Sequence, residues 1–156
     1  PGQKQFDCGN PVIDKFVRAS LKKSVRNSDC AAKALIDRQS GELIGICTFT
    51  AYSLEKQRVS GVLQGSQPSE IGVVRLVMLG VARKYQKRGF GQDLLCDFFE
   101  HVKIIHRALP IQGVYLDADP AAINFYTRLG FVQLSARPNV FGAVPMFLAI
   151  QHILAA

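Results

Sequence analysis

Residues 85–95 read YQKRGFGQDLL, with Gly89 and Gly91 one residue apart in a basic segment. The run before it, IGVVRLVMLGV (residues 71–81), is continuously apolar and rich in β-branched side chains, which predicts a strand buried on both faces. After it, Leu94, Leu95, Phe98, Phe99, Val102, Ile105 and Leu109 trace one helical stripe, which Pro110 stops. The stretch therefore reads as a glycine turn between a central strand and a helix, and this arrangement decides the fold.

Working outward, Asn10-Pro11 reads as a helix cap with proline at the first helical position. Ile13, Val17, Leu21 and Val25 then recur at helical spacing, predicting one amphipathic helix over residues 11–26. Residues 31–54 read as two strands joined at Ser40-Gly41, hence a hairpin. Residues 55–70 are polar with Gly and Pro and read as a loop. IQGVYLDA (111–118) is a further strand, and Asp119-Pro120 opens a short helix closing at Gly130. FVQL (131–134) and VPMFLAIQHI (144–153) complete the series as strands. The order predicts an α/β fold, with one mixed sheet flanked by helices in a single domain over residues 1–156.

The 156 residues fit one core, and 48% apolar with 20% charged residues is the composition of a globular protein. No run reaches the roughly 18 apolar residues that span a bilayer, and no leader is recognisable, so neither a membrane nor export is expected. Pro1 stands where an initiator methionine would be, which suggests a trimmed start. The net charge of +7 suits a polyanionic partner as well as a solvated basic surface. Cys8, Cys30, Cys47 and Cys96 are scattered without a CxxC pair, which predicts a reducing, cytoplasmic setting and no metal. Cys47 and Cys96 lie in apolar runs and are expected in the core.

Three glycine motifs compete for the loop. A Walker A loop is excluded because GxxxxGK[ST] is absent, and a dinucleotide fingerprint lacks its third glycine. What remains is Gln86-Lys87-Arg88-Gly89-Phe90-Gly91, a QxxGxG hexapeptide. Successive N–H groups at a helix start can cradle a pyrophosphate, with Lys84, Lys87 and Arg88 adding positive potential. The same residues also fit a plain tight turn. Together with the later FYTRLGF (125–131), however, the arrangement resembles the GCN5-related N-acetyltransferase (GNAT) superfamily. That resemblance implies acetyl-coenzyme A as co-substrate, bound by Gln86, Lys87, Arg88, Gly89, Phe90 and Gly91. It assigns the backbone of Leu79, Gly80 and Val81 to the thioester and pantetheine arm. The family's usual first strand is not visible before Phe6.

FDCGNPVIDKFV (residues 6–17), the basic first helix and FYTRLGF look like the acetyltransferase toxins of type II toxin–antitoxin modules, the TacT/AtaT kind. This resemblance implies transfer of acetyl to the α-amino group of aminoacyl-tRNA and a block of translation. It also implies a ribbon-helix-helix antitoxin and a homodimer. Tyr126 matches the tyrosine that protonates the departing thiolate. Three positions depart from the pattern: Met78 and Ala82 stand where such toxins carry Arg and Asp, and Asp119 where Asn is common. A housekeeping acetyltransferase of small amines or protein N-termini is the alternative, and a basic adaptor without turnover is a third.

Proton transfer from a tyrosine at about 10 to a thiolate of about 8.5 is uphill by only about 1.5 units. The spacing of Ala122, Phe125, Tyr126 and Leu129 also fits ordinary core packing. Glu70, Asp93, Asp97, Asp117 and Asp119 are candidate bases, though most read as caps or solvated faces, and His101, His106 and His152 form no triad. An α-amino group near pKa 8 is about 10% neutral at pH 7, against below about 0.1% for lysine, so a site without a strong base suits α-amines. Lys15, Lys22, Lys23 and Arg26, with Arg75, Arg83 and Lys84, are the candidate tRNA contacts. Arg137, Asn139 and Phe141 lie in a late loop placed to shape the acceptor pocket.

Overall fold

The computed structural model describes residues 2–63, 65 and 68–156; Pro1 and, within the expected loop, Gln64, Ser66 and Gln67 lie outside the described residues. Six strands form one mixed sheet in the order β1-β2-β3-β4-β6-β5. They are β1 (Ala31–Ile36), β2 (Leu43–Glu55), β3 (Glu70–Val81), β4 (Gly113–Ala118), β5 (Val132–Gln133) and β6 (Val144–Ala149). The expected hairpin is β1 against antiparallel β2, and β6 runs antiparallel to both β4 and β5. The chain divides into two compact units, residues 1–50 with 76–101, and residues 51–75 with 102–156.

In the first of these units the expected helix over 11–26 is two helices, α1 (Pro11–Ala19) and α2 (Leu21–Arg26). Asn10 caps α1 by accepting from Val12 N (3.0 Å) and Ile13 N (3.3 Å) through Oδ1. Ser20, at φ −120° and ψ −19°, leaves the helical region and breaks the run. The break follows the packing. Val17 joins Phe6, Leu43 and Ile46 in a buried cluster, with Ile13 and Leu21 at its margin, while Val25 ends up exposed.

The strand β3 is not buried on both faces as its composition suggested. Its first part is buried at Ile71, Val73, Val74 and Leu76, but Val77 is exposed and Met78, Leu79 and Val81 are only partly covered. The following helix α3 (Phe90–Ala108) buries Leu94, Leu95 and Phe98, with the Phe98 ring 5.0 Å from Phe49. Leu109 lies beyond its end and is exposed. Cys96 is exposed on α3 rather than in the core, whereas Cys47 is buried as expected.

The second unit packs Leu54, Val59, Leu63, Ile71, Val73, Tyr115 and Phe147 together. The expected loop over 55–70 is thus partly built, because a short helical turn at Lys56–Val59 sends Val59 and Leu63 into that core. Asp119 Oδ1 accepts from Ala121 N (2.9 Å), and α4 (Ile123–Arg128) follows, closed by Gly130 at φ 101°. The last expected strand ends at Ala149, after which Ile150–Leu154 turn into α5. No helix is long and apolar enough to cross a membrane among the described residues.

Candidate active site

The loop 82–91 is held in shape by groups far from it in sequence. Gln86 donates both side-chain N–H groups, to Cys8 O and to Val81 O, each at 2.8 Å. One amide therefore ties the loop to the end of β3 and to the N-terminal segment. Ala82 N bonds Ile44 O (2.8 Å) and Arg83 N bonds Asp7 O (2.9 Å), which fixes the loop's entry. Lys87 at φ 63° and Gly89 at φ 84° lie in the left-handed region. At Gly89 a side chain would find open space, so glycine is required there for the backbone turn and not for room. Asp93 N closes the first helical bond on Gly89 O (3.0 Å), which leaves the N–H groups of Phe90, Gly91 and Gln92 without an intrahelical acceptor.

Charges around the loop separate into two kinds. Arg83 is paired with Asp7 at 3.0 Å, and Lys84 is paired with Glu42, which also accepts from Tyr85 OH at 2.9 Å. The Lys84 hydrogen bond holds Glu42 below the usual carboxylate range, and Glu42 in turn holds Lys84 above its own. Among the described residues Lys87 and Arg88 have no carboxylate partner, although the Arg88 guanidinium lies 5.6 Å from the Tyr85 ring centre. Net positive charge at the glycine turn thus comes from Lys87 and Arg88. A cavity of about 650 Å³ beside the loop's entry is lined by Phe6, Glu42, Leu43, Lys84 and Tyr85, and its carboxylate suits it poorly to a polyphosphate.

Gly80 sits where β3 meets the N-terminal segment. A Cβ there would stand 3.2 Å from Ile13 Cγ2, 3.3 Å from Cys8 Sγ and 3.4 Å from Phe6 Cζ. The small residue therefore lets Cys8 close against the strand. Burial pushes the Cys8 thiol up to about 11, so it is protonated at neutral pH and is no nucleophile.

Tyr126 belongs to the second unit, buried on α4. Its ring meets Phe125 edge-on at 5.1 Å and Phe131 at 5.6 Å. The α4 cap anchors it further, since Phe131 N bonds Tyr126 O at 3.1 Å. In the same unit lies a network that sequence reading did not find. Asp117 accepts from Tyr115 OH at 2.8 Å and from Arg75 Nη2 at 3.2 Å, and Arg58 Nη2 donates to Tyr115 OH at 2.9 Å. Its members come from residues 58, 75, 115 and 117, brought together by the neighbouring strands β3 and β4 and by the helical turn at Lys56–Val59, so no local signal could have revealed them.

The network bears on two expectations. Arg75 is held by Asp117 and lies over the Tyr52 ring at 5.2 Å, so it is not a free phosphate contact. Asp117 has both oxygens engaged and serves poorly as a base. Other candidate bases are also engaged: Glu70 by Ser53 Oγ (2.6 Å), Asp97 by Lys33 (2.8 Å) and Asp119 by the Ala121 N–H. His106 Nδ1 accepts from Ile111 N at 3.1 Å, and His101 packs on Phe49. No group of three or more potential metal ligands occurs among the described residues.

A 19-residue helix led by a braced glycine turn, in a chain built on a six-stranded mixed sheet, is the arrangement of the acetyltransferase class. The chain belongs to the acetyltransferase (GNAT) domain family, whose model matches residues 32–133. It is similar to a bacterial toxin of known crystal structure, 96% identical, with a TM-score of 0.97, covering 99% of this chain and 87% of that one. A tRNA-acetylating toxin of Mycobacterium tuberculosis (strain ATCC 25618 / H37Rv) is 27% identical over 93 residues, 59% of this chain. The match spans only about half of that relative, 54%. AtaT in complex with acetyl-methionyl-tRNAfMet shares the fold at 23% identity and a TM-score of 0.83, covering 98% of this chain and 90% of that one. A second AtaT structure, of a tyrosine-to-phenylalanine mutant, holds the C-terminus of the antitoxin AtaR and acetyl-CoA. It is 22% identical with a TM-score of 0.81, covering 98% of this chain and 88% of that one.

Proposed function

We propose that this protein transfers acetyl from acetyl-coenzyme A to the α-amino group of aminoacyl-tRNA and so acts as a translation-blocking toxin. The observation that carries the co-substrate is the loop itself. Its first-turn N–H groups, left-handed Gly89, and Lys87 and Arg88, which face no carboxylate among the described residues, offer what a diphosphate requires. Gln86 is then a positioning residue, because its amide N–H groups are engaged by backbone. When bound, acetyl-coenzyme A supplies the acetyl group as an activated thioester.

The chain's own residues do the rest. Backbone N–H groups of Leu79, Gly80 and Val81 serve as preorganised donors for a carbonyl oxygen. Tyr126 holds a proton on its phenolic oxygen for a departing thiolate, and Phe125 and Phe131 fix its ring. Glu70, Asp97, Asp117 and Asp119 all have partners and Asp93 is exposed on the first turn of α3, so the incoming amine is expected to arrive neutral. This condition favours α-amino groups over lysine side chains. The name of the M. tuberculosis relative and the tRNA held by AtaT point to the same substrate. On the same footing the protein would be cytoplasmic, a homodimer, and silenced by a ribbon-helix-helix antitoxin whose C-terminal segment binds the toxin.

The test is transfer of radiolabelled acetyl to a charged tRNA pool, with deacylated tRNA as control. Label on charged tRNA alone, reduced about 100-fold or more by Tyr126→Phe, is the expected result. Full activity of Tyr126→Phe would remove Tyr126 from the mechanism. Label on small amines or protein N-termini instead of tRNA would establish the housekeeping alternative.

A further inference from the structure

The loop between β5 and β6 is built to hold two apolar side chains in water. Val140 is 94% exposed and Phe141 90% exposed at its tip. The loop is nonetheless well bonded. Asn139 Oδ1 accepts from Phe141 N (2.9 Å) and Ala143 N (3.1 Å), while Asn139 N bonds Ala143 O (2.7 Å) and Gly142 N bonds Asn139 O (2.9 Å). Ser135 Oγ donates to Arg137 O (3.0 Å), which stiffens the approach. These bonds keep the tip from folding back, so Phe141 forgoes the roughly 1.5–3 kcal/mol that burial of such a side chain would give. Such a preorganised aromatic is available to a partner outside the chain.

Charge selects that partner. From Pro120 to Ala156 the sequence carries Arg128, Arg137 and His152 but no Asp or Glu. A second copy of a +7 chain meets this region with like charge, whereas a polyanion meets it with opposite charge. Among polyanions, an unpaired nucleic-acid end presents flat apolar base faces beside its phosphates. The loop also grows from the unit that carries Tyr126. Phe131, in ring contact with Tyr126, precedes β5, and Val132 pairs with Phe147 of β6.

We propose that Phe141, displayed by the Asn139-closed loop, stacks on an unpaired base at the 3′ end of the RNA substrate, with Val140 packing beside it. This inference rests on the aminoacyl-tRNA reading and names the contact that seats the acceptor end. Arg137, two residues before Asn139, supplies charge to the same loop. A stacked base is worth about 1–3 kcal/mol, or about 5- to 150-fold in affinity.

The test uses the whole protein and a short single-stranded RNA with a fluorescent purine analogue near its 3′ end, whose emission is quenched by stacking. Wild type quenches it, and Phe141→Trp does too. Phe141→Ala and Phe141→Leu both lose the quench and bind about 10-fold more weakly, with an unchanged melting temperature. On charged tRNA, Phe141→Ala raises KM by a similar factor and leaves kcat near wild type. Binding by Phe141→Leu as tight as wild type would overturn stacking, as would absence of quenching by wild type. A dimer that Phe141→Ala dissociates would overturn it as well, by giving the tip to a second copy. Quenching without any acetylation of charged tRNA would support the stacking contact while removing the proposed substrate.

Discussion

Gln86 uses both N–H groups of its amide on carbonyl oxygens, one at the end of β3 and one at Cys8. Cys8 is therefore part of the loop's support, and its environment can be measured. Burial raises its thiol from an ordinary 9.0 to about 11, and raises Cys47 further, to about 12. The folded chain keeps the Cys8 proton between pH 9 and about 11, where the unfolded chain releases it. Thiol burial thus contributes stability that is fully present below pH 9 and is lost as pH rises through that window. In alkylation with iodoacetamide at about pH 8, exposed Cys96 reacts first, Cys8 reacts at least about 10-fold more slowly, and Cys47 does not react until the fold opens. Cys8 labelling as fast as Cys96 would contradict the packing of the N-terminal segment against Gly80.

Secondary elements divide into those decided locally and those decided by distant packing. The glycine turn, the α1 cap, the hairpin and the Gly130 stop are all readable from neighbours in sequence, because positive φ and helix ends are local requirements. The break at Ser20 is not, since the apolar spacing from Ile13 to Val25 is unbroken. Only the cluster of Phe6, Val17, Leu43 and Ile46 makes a bend better than a continuous helix. Composition likewise misread the end of β3, whose apolar side chains at Val77 and Leu79 are left at least partly exposed, and α5, which continues an apolar run as helix. Asp119 shows the local rule beside the proposed acid, Tyr126. Its side chain caps the turn that leads into α4 and so helps to aim Tyr126. Asp119→Ala therefore costs about 1 kcal/mol of stability and lowers kcat more than it raises KM for acetyl-coenzyme A, while Asp119→Asn restores both. Thermal melts and steady-state kinetics on the two variants check this, and an Asp119→Ala enzyme with wild-type kcat would detach the cap from catalysis.

At the scale of the whole molecule, seven surplus positive charges are not equally available to a polyanion. Sequence reading put Lys22, Lys23, Arg26, Arg75, Arg83 and Lys84 together, and the structure separates them. Arg75, Arg83 and Lys84 each already face a carboxylate, whereas Lys22, Lys23 and Arg26 are exposed on α2 without an ion pair among the described residues. The Glu42–Lys84 pair also persists across ordinary conditions. Glu42 is held below its usual range, so the pair is lost only in acid, and Lys84 is held above its own, so it is lost only in strong base. A paired cation releases few counterions when RNA arrives, because its partner must first be displaced or left unpaired. A free cation contributes about one unit to the slope of log affinity against log salt. Binding of charged tRNA measured between about 50 and 200 mM salt should therefore show a slope that falls by about 3 when Lys22, Lys23 and Arg26 are all changed to alanine. Changing Arg83 and Lys84 to alanine should move it by well under about 2, because each already faces a carboxylate and releases few counterions on binding. Equal slopes for the two sets would mean that RNA approaches by the loop flank and not along α2, and would move the electrostatic footprint to Lys87, Arg88 and the Asp7–Arg83 pair.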